Sequence, residues 1–179
     1  EKVQVDIINL RENLNKKLIE SGWDTMLSPY INGLSFDHII NELVNNVNAG
    51  KRFTPKFKDI FNAFYECPYD KVKVVMVGQD PYPQLGVADG IAFSCSKKGK
   101  AEKSLQYINK AAGTDHVDLT CWANQGVLLL NTAFTCEVNK IGSHYAIWKS
   151  FTEYLFDNLN RHNQDLIFVL LGKKAEAWS

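Results

Sequence analysis

Three apolar runs end on residues able to do chemistry. Val72 to Val77 runs into Gly78-Gln79-Asp80-Pro81-Tyr82-Pro83, Val127 to Leu130 into Asn131, and Leu166 to Leu171 into Gly172. A carboxylate, two carboxamides and a phenol therefore follow apolar runs directly. Such groups exchange protons or read the donor and acceptor edge of a ligand. Turns use the same residue types, and Asp80 or Asn131 taken alone reads as a turn or cap residue. Their shared position at the ends of runs is what makes them candidates.

The runs are rich in β-branched residues and hardly alternate, which suits strands buried on both faces of a parallel sheet. Helical patterns separate them, from Ser104 to Ala112, Asp118 to Asn124 and Ala146 to Asn160, the last with Trp148, Phe151, Leu155 and Leu159 inward. Strand alternating with helix predicts an α/β sandwich. Ligands of such sheets gather beyond the carboxyl ends of the strands, where these polar residues fall. Upstream, the first thirty residues read as one helix with Leu10, Leu14, Leu18 and Ile19 on one side. Ser35 is expected to cap a second helix carrying Ile39, Ile40, Leu43, Val44 and Val47, and Thr54-Pro55 to open a third. In that third helix Phe57, Ile60, Phe61 and Phe64 form an aromatic stripe most simply read as core.

A chain of 179 residues with 45% hydrophobic content fits a single domain spanning residues 1–179. Twenty basic residues balance twenty acidic ones, so only local clusters can favour a polyanion. Lys51, Arg52, Lys56 and Lys58 form one cluster, and Lys97, Lys98, Lys100 and Lys103 another. Both read first as solvated faces. Cys67, Cys95, Cys121 and Cys136 are far apart and form no C-x-x-C pair, so reduced structural thiols are expected and neither metal nor cofactor is. No stretch approaches the roughly 20 apolar residues of a membrane span. The expectation is a soluble protein of the cytoplasm, or of the nucleus or host-cell interior if eukaryotic or viral.

The motifs GQDPYP, FS at Phe93-Ser94, DLTCWANQGVLLLN and GSH at Gly142 to His144 follow one another in this order. In order and gaps they closely resemble the family 1 uracil-DNA glycosylases, whose pattern is GQDPYH, FS, DLxxWAxQGVLLLN and a GSH loop. The eleven residues from Phe93 to Ser104 also match the family's spacing, and the resemblance extends from about Trp23 onward. It implies a three-layer α/β/α sandwich with a central, mostly parallel four-stranded sheet, of which a truncated record would lack the last strand. It also implies a DNA glycosylase that flips deoxyuridine out of DNA and hydrolyses its N-glycosidic bond in base excision repair.

By that resemblance Asp80 orients the attacking water and stabilises the oxocarbenium-like sugar, while Gln79 contributes backbone contacts to uracil. Tyr82, held between two prolines, is the steric wall against the thymine methyl, and Phe93 offers the face on which the base stacks. Asn131 reads uracil, its amide placing a donor beside an acceptor to match O4 and N3–H. Pro83, Ser104, Gly142, Ser143 and His144 fall where the family grips DNA phosphates, Ser143 just ahead of a helix whose first amides are free. The implied partners are uracil-containing DNA and a proteinaceous inhibitor or replication protein, with the chain a monomer outside any membrane.

Three features depart from the pattern. Pro83 stands where the family has histidine, and the segment before Ser104 is the charged KKGKAEKS rather than proline-rich. Beyond its LLWG-x-x-A strand exit, here Leu170, Leu171, Gly172 and Ala175, the family continues into an HPSPLS loop. That loop carries a histidine that donates to uracil O2 and a leucine that wedges into the stack. None of His38, His116, His144 and His162 lies in that context. One expectation is a C-terminally truncated record of a longer enzyme. The alternative is a catalytically weak DNA-docking or polymerase-accessory subunit with the same fold, and a third reading is a generic α/β domain whose turns mimic the motif.

Overall fold

The computed structural model describes residues 1–179. In chain order its elements are α1 (Ile7–Ser21), α2 (Asp24–Ile31), α3 (Leu34–Asn48), β1 (Phe53–Thr54), α4 (Asn62–Glu66), β2 (Val74–Gly78), α5 (Lys103–Ala112), α6 (Thr120–Asn124), β3 (Val127–Asn131), β4 (Cys136–Glu137), α7 (Tyr145–His162), β5 (Ile167–Leu170) and α8 (Lys173–Glu176). The three apolar runs form one parallel sheet in the order β3-β2-β5, with β2 central. Val75 pairs with Leu128, Met76 with Leu129 and Gly78 with Asn131.

Successive side chains on a strand point to opposite faces, and two apolar clusters divide them accordingly. Val75, Val77, Leu128 and Leu130 join a core of 30 buried residues shared with α1 to α4 and α7. Leu129, with Met76 and Val127 packed beside it, faces a smaller cluster containing Leu105 of α5, Val87 and Ile91. Covering on both faces is why the runs lack alternation, and it gives the α/β sandwich its three layers.

Four details differ from expectation. The parallel sheet holds three of the four strands that the resemblance implies, and β1 and β4 form a separate antiparallel pair that the sequence did not signal. The first helix is two, because Gly22 adopts a left-handed φ of 81° and its N–H closes α1 on the Ile19 carbonyl. Ile19, read as inward, is 61% exposed as a result. The next helix starts after Gly33, so Ser35 lies inside it. The proline-led helix is split into β1, a 3-10 turn at Phe57–Asp59 and α4. Its aromatics still reach the core, where Phe64 stacks on Phe134 at 6.0 Å and Phe61 packs edge-on against Trp148. No helix is long and apolar enough to cross a membrane.

Candidate active site

The parallel register sets Gly78 beside Asn131 at the carboxyl ends of β2 and β3. Absence of a side chain at Gly78 creates the site's central contact. A Cβ built there would lie 2.6 Å from Phe93 Cζ and 2.7 Å from Asn131 Oδ1, so an aromatic ring and a carboxamide oxygen both occupy the space over that glycine. Phe93 reaches it through a left-handed backbone, φ 68°, a conformation that costs a bulky residue energy and persists only when its surroundings impose it. The Tyr82 hydroxyl supplies part of that constraint by donating to the Phe93 carbonyl at 2.8 Å.

The Phe93 loop is fixed from below by Asp89, which is buried. Its carboxylate accepts from Ile91 N at 3.0 Å, Ser94 Oγ at 2.7 Å, Ser96 N at 3.2 Å and Ser96 Oγ at 2.5 Å. Ser94 Oγ in turn accepts from Leu119 N at 3.1 Å. Next to Asp89, a Cβ on Gly90 would fall 1.6 Å from the Asp59 carbonyl oxygen, so only glycine fits where the loop crosses β1's neighbouring turn. On the other side, Thr132 N donates to Gly78 O at 3.0 Å and Thr132 Oγ1 to Gln79 O at 2.8 Å, tying the two strand exits together.

Asp80 is half-buried at the same exit. Its Oδ2 accepts from Gly142 N at 2.5 Å. Its Oδ1 is buried without a partner, as is the Tyr145 hydroxyl. Burial pushes the Asp80 carboxyl above the usual carboxylate range, opposed by the Gly142 N–H, the Tyr145 hydroxyl and the charge of Lys174. That hydroxyl lies near enough to favour the anion yet outside hydrogen-bonding geometry. Burial, then the negative charge of Asp80, pushes the Tyr145 phenol well above its ordinary value. Lys174 Nζ stands 5.2 Å from the centre of the Tyr145 ring.

An open cleft of about 510 Å³ runs along these groups, lined among others by Gln79, Asp80, Pro83, Ser104 and Ile141. Behind it, between Phe93, Tyr82, Pro81 and Asn131, is a void of only about 20 Å³, room for a single water. Pro81, Tyr82 and Phe93 line both spaces, so the Phe93 ring partitions the cleft from Asn131.

The residues expected at DNA phosphates are placed less uniformly. Pro83 borders the cleft, and its carbonyl accepts from Asn139 N at 2.9 Å. Ser104 also borders it, but lies 3.1 Å from the Tyr82 oxygen. With the Tyr82 proton already given to Phe93, the Ser104 proton goes to Tyr82 and is not free for an anion. Gly142 corrects the reading in the same way, because its N–H serves Asp80. The His144 ring is 2% exposed rather than on the surface, with Nδ1 2.8 Å from Thr135 Oγ1, and burial pushes its pKa down toward the neutral form. Ser143 Oγ accepts from Glu137 N at 2.8 Å and keeps its own proton free to donate. Lys97 pairs with Asp59 and Lys98 with Glu102, leaving Lys100 and Lys103 as the unpaired cations of that cluster.

Gly78, Asp89, Tyr145 and Lys174 were not singled out by sequence reasoning. Gly78 lies inside the leading motif, and Asp89 lies in the glycine-rich segment that approaches Phe93. Tyr145 and Lys174 meet Asp80 from separate helices and carry no sequence signal.

Comparison with known proteins gives one consistent result. Residues 64–179 match the model of the Uracil DNA glycosylase superfamily. Uracil-DNA glycosylase 1 of Listeria monocytogenes is 41% identical over 142 residues, covering 75% of this chain and 64% of the relative. Uracil-DNA glycosylase of Acinetobacter baumannii is 36% identical over 174 residues, covering 93% of this chain and 73% of the relative. Among solved structures, mimivirus uracil-DNA glycosylase superposes with a TM-score of 0.78 at 32% identity, over 87% of this chain and 61% of that one. A variant of mimivirus UNG in complex with UGI superposes with a TM-score of 0.81 at 30% identity, over 98% and 66%. The chain thus spans a little under two thirds of the Listeria and mimivirus relatives.

Proposed function

The chain belongs to the uracil DNA glycosylase superfamily, and on that footing we propose that the protein hydrolyses the N-glycosidic bond of deoxyuridine in DNA. The observation that carries this reading is the meeting of the Phe93 ring and Asn131 Oδ1 over Gly78, two residues ahead of a carboxylate that borders an open cleft. A stacking face, a hydrogen-bonding edge and an anion at one strand exit are what excision of an extruded pyrimidine requires.

The deoxyuridine leaves the duplex at a cost of a few kcal/mol and enters from the cleft. The Phe93 ring must then turn away from Asn131, since the space between them holds no more than a water. Once stacked on Phe93, the base meets the Asn131 carboxamide. Tyr82, anchored through its hydroxyl, stands as a rigid wall. The C1′–N1 bond breaks with its electron pair leaving on uracil, and the positive charge that develops on the sugar is balanced by ionised Asp80. Water then adds its hydroxyl to C1′ and its remaining proton goes to the departing base. Uracil and an abasic site are the products.

Ser143, Lys100 and Lys103, which flank the cleft-lining Ile141 and Ser104 in sequence, are the donors left available for phosphates. We extend the proposal to a protein that acts as a single domain and a monomer, in the base excision repair of its cell. Superposition on a relative solved with UGI supports an inhibitor of that type as a further partner.

The test is incubation of the natural protein with a uracil-containing oligonucleotide followed by alkali. A strand break at uracil, absent from the thymine control, is the expected result. DNA binding with no break at any enzyme concentration would leave a docking subunit as the better description.

A further inference from the structure

Two buried oxygens have no partner within the protein, Asp80 Oδ1, whose residue borders the cleft, and the Tyr145 hydroxyl, whose ring lines the neighbouring cavity with Lys174. A polar atom shut away from water without a hydrogen bond is costly, and an orphaned pair in one place calls for a shared third group. The surroundings hold both in position. Gly142 N fixes Oδ2 of the same carboxylate at 2.5 Å. The Tyr145 ring lies against Gly142 so closely that a Cβ there would come within 3.2 Å of it. On a separate helix, Lys174 sets its ammonium 5.2 Å from the ring centre.

We propose that Tyr145 is a catalytic residue that, together with Asp80, holds the hydrolytic water. This rests on the uracil-hydrolysis reading. The water donates one hydrogen to Asp80 Oδ1 and the other to the Tyr145 oxygen, which satisfies both orphans and leaves a lone pair for the sugar. Once the C1′–N1 pair has departed with the base, the water oxygen bonds to the cationic C1′. Asp80 takes the proton facing it and passes it to the uracil anion, so one water is consumed, with a hydroxyl on the sugar and a hydrogen on the base. Carboxylate burial suits that transient protonation, and the groups facing Asp80 are Tyr145 from α7, Lys174 from α8, the Cys136 thiol from β4 and the Gly142 N–H.

Tyr145→Phe keeps the ring, its packing and its contact with Lys174, and removes only the hydroxyl. In the natural protein its single-turnover excision rate should fall on the order of 10-fold to 100-fold, the scale of a misplaced reactant, with affinity for uracil-containing DNA unchanged. The acid limb of its pH–rate profile should move to higher pH, because a group that favours ionised Asp80 is gone. Lys174→Gln should move the limb in the same direction with the hydroxyl in place. A phenylalanine variant with wild-type rate and an unmoved limb overturns the assignment. Should the wild type excise no uracil, the glycosylase reading is what fails. Carbon-13 NMR titration of Asp80 then decides this inference by itself, an Asp80 pKa unchanged by Tyr145→Phe overturning it.

Discussion

At the scale of single residues, the pocket works by what each group leaves open as much as by what it binds. Tyr82 spends its proton on the Phe93 carbonyl, so it has none left to donate to a ligand. Gly142 spends its amide on Asp80, and Ser104 its proton on Tyr82, which removes two of the phosphate contacts that the motif implies. Asn131 differs, since its carboxamide donates no hydrogen bond inside the protein and so is free for the base-reading role proposed for it. Asn131→Asp should therefore admit cytosine, because a carboxylate accepts from the exocyclic amine. Uracil excision should fall roughly 10-fold to 100-fold, following from about 1–3 kcal/mol for a good two-point base contact. Alkali cleavage of oligonucleotides containing one cytosine or one uracil checks both effects. A variant that still cuts only at uracil would remove Asn131 from the base-reading role.

At the scale of elements, two glycines set the site and the fold apart. At Gly78 the obstructing atoms are side-chain atoms of Phe93 and Asn131, at 2.6 and 2.7 Å, and these can shift. Gly78→Ala should hold its melting temperature near wild type while losing uracil binding, because the displaced groups are the ones proposed to read the base. At Gly90 the obstruction is the Asp59 carbonyl oxygen at 1.6 Å, and the backbone is left-handed at φ 88°. Gly90→Ala should lower the melting temperature by several degrees, on the basis of about 1–3 kcal/mol of imposed strain. Thermal melts beside uracil-binding titrations separate the two cases, and equal melting losses would overturn the distinction. The same contrast explains what the sequence could disclose. β2, β3 and β5 were legible because burial on both faces writes itself as unbroken apolar runs, and Asp80 and Asn131 were legible because they end those runs. The β1–β4 pair was not, since two-residue strands carry no period. Neither was the break at Gly22, where a single left-handed residue overrides helical spacing on both sides. Tyr145 and Lys174 escaped because helices far apart in sequence bring them to Asp80, and local pattern holds no record of that.

At the scale of the whole molecule, the site and the fold make opposite demands on one carboxyl group. The chain has no net charge, so attraction to DNA rests on local cations, and two of the four lysines near Ser104 are already paired with acids. The anion needed for chemistry is held among buried groups, and burial raises the Asp80 pKa in the folded chain above its unfolded value. A raised carboxyl makes the folded state relatively more stable when protonated. That contribution is fully present below the ordinary carboxylate pKa and disappears as pH rises through the raised folded value. On the proposed mechanism excision has the opposite dependence, because there only ionised Asp80 balances the sugar cation and takes a proton. Asp80→Asn should therefore melt at a higher temperature than wild type at pH 7, with the gap closing as pH falls below the ordinary carboxylate range. Its excision rate should drop by about 100-fold to 10,000-fold, the usual contribution of a positioned acid or base. Calorimetric melts of both proteins across that pH range decide the point. An asparagine variant less stable than wild type at pH 7 would mean that contacts from Gly142, Tyr145 and Lys174 outweigh the cost of burial, so that the carboxylate stabilises the fold instead of straining it.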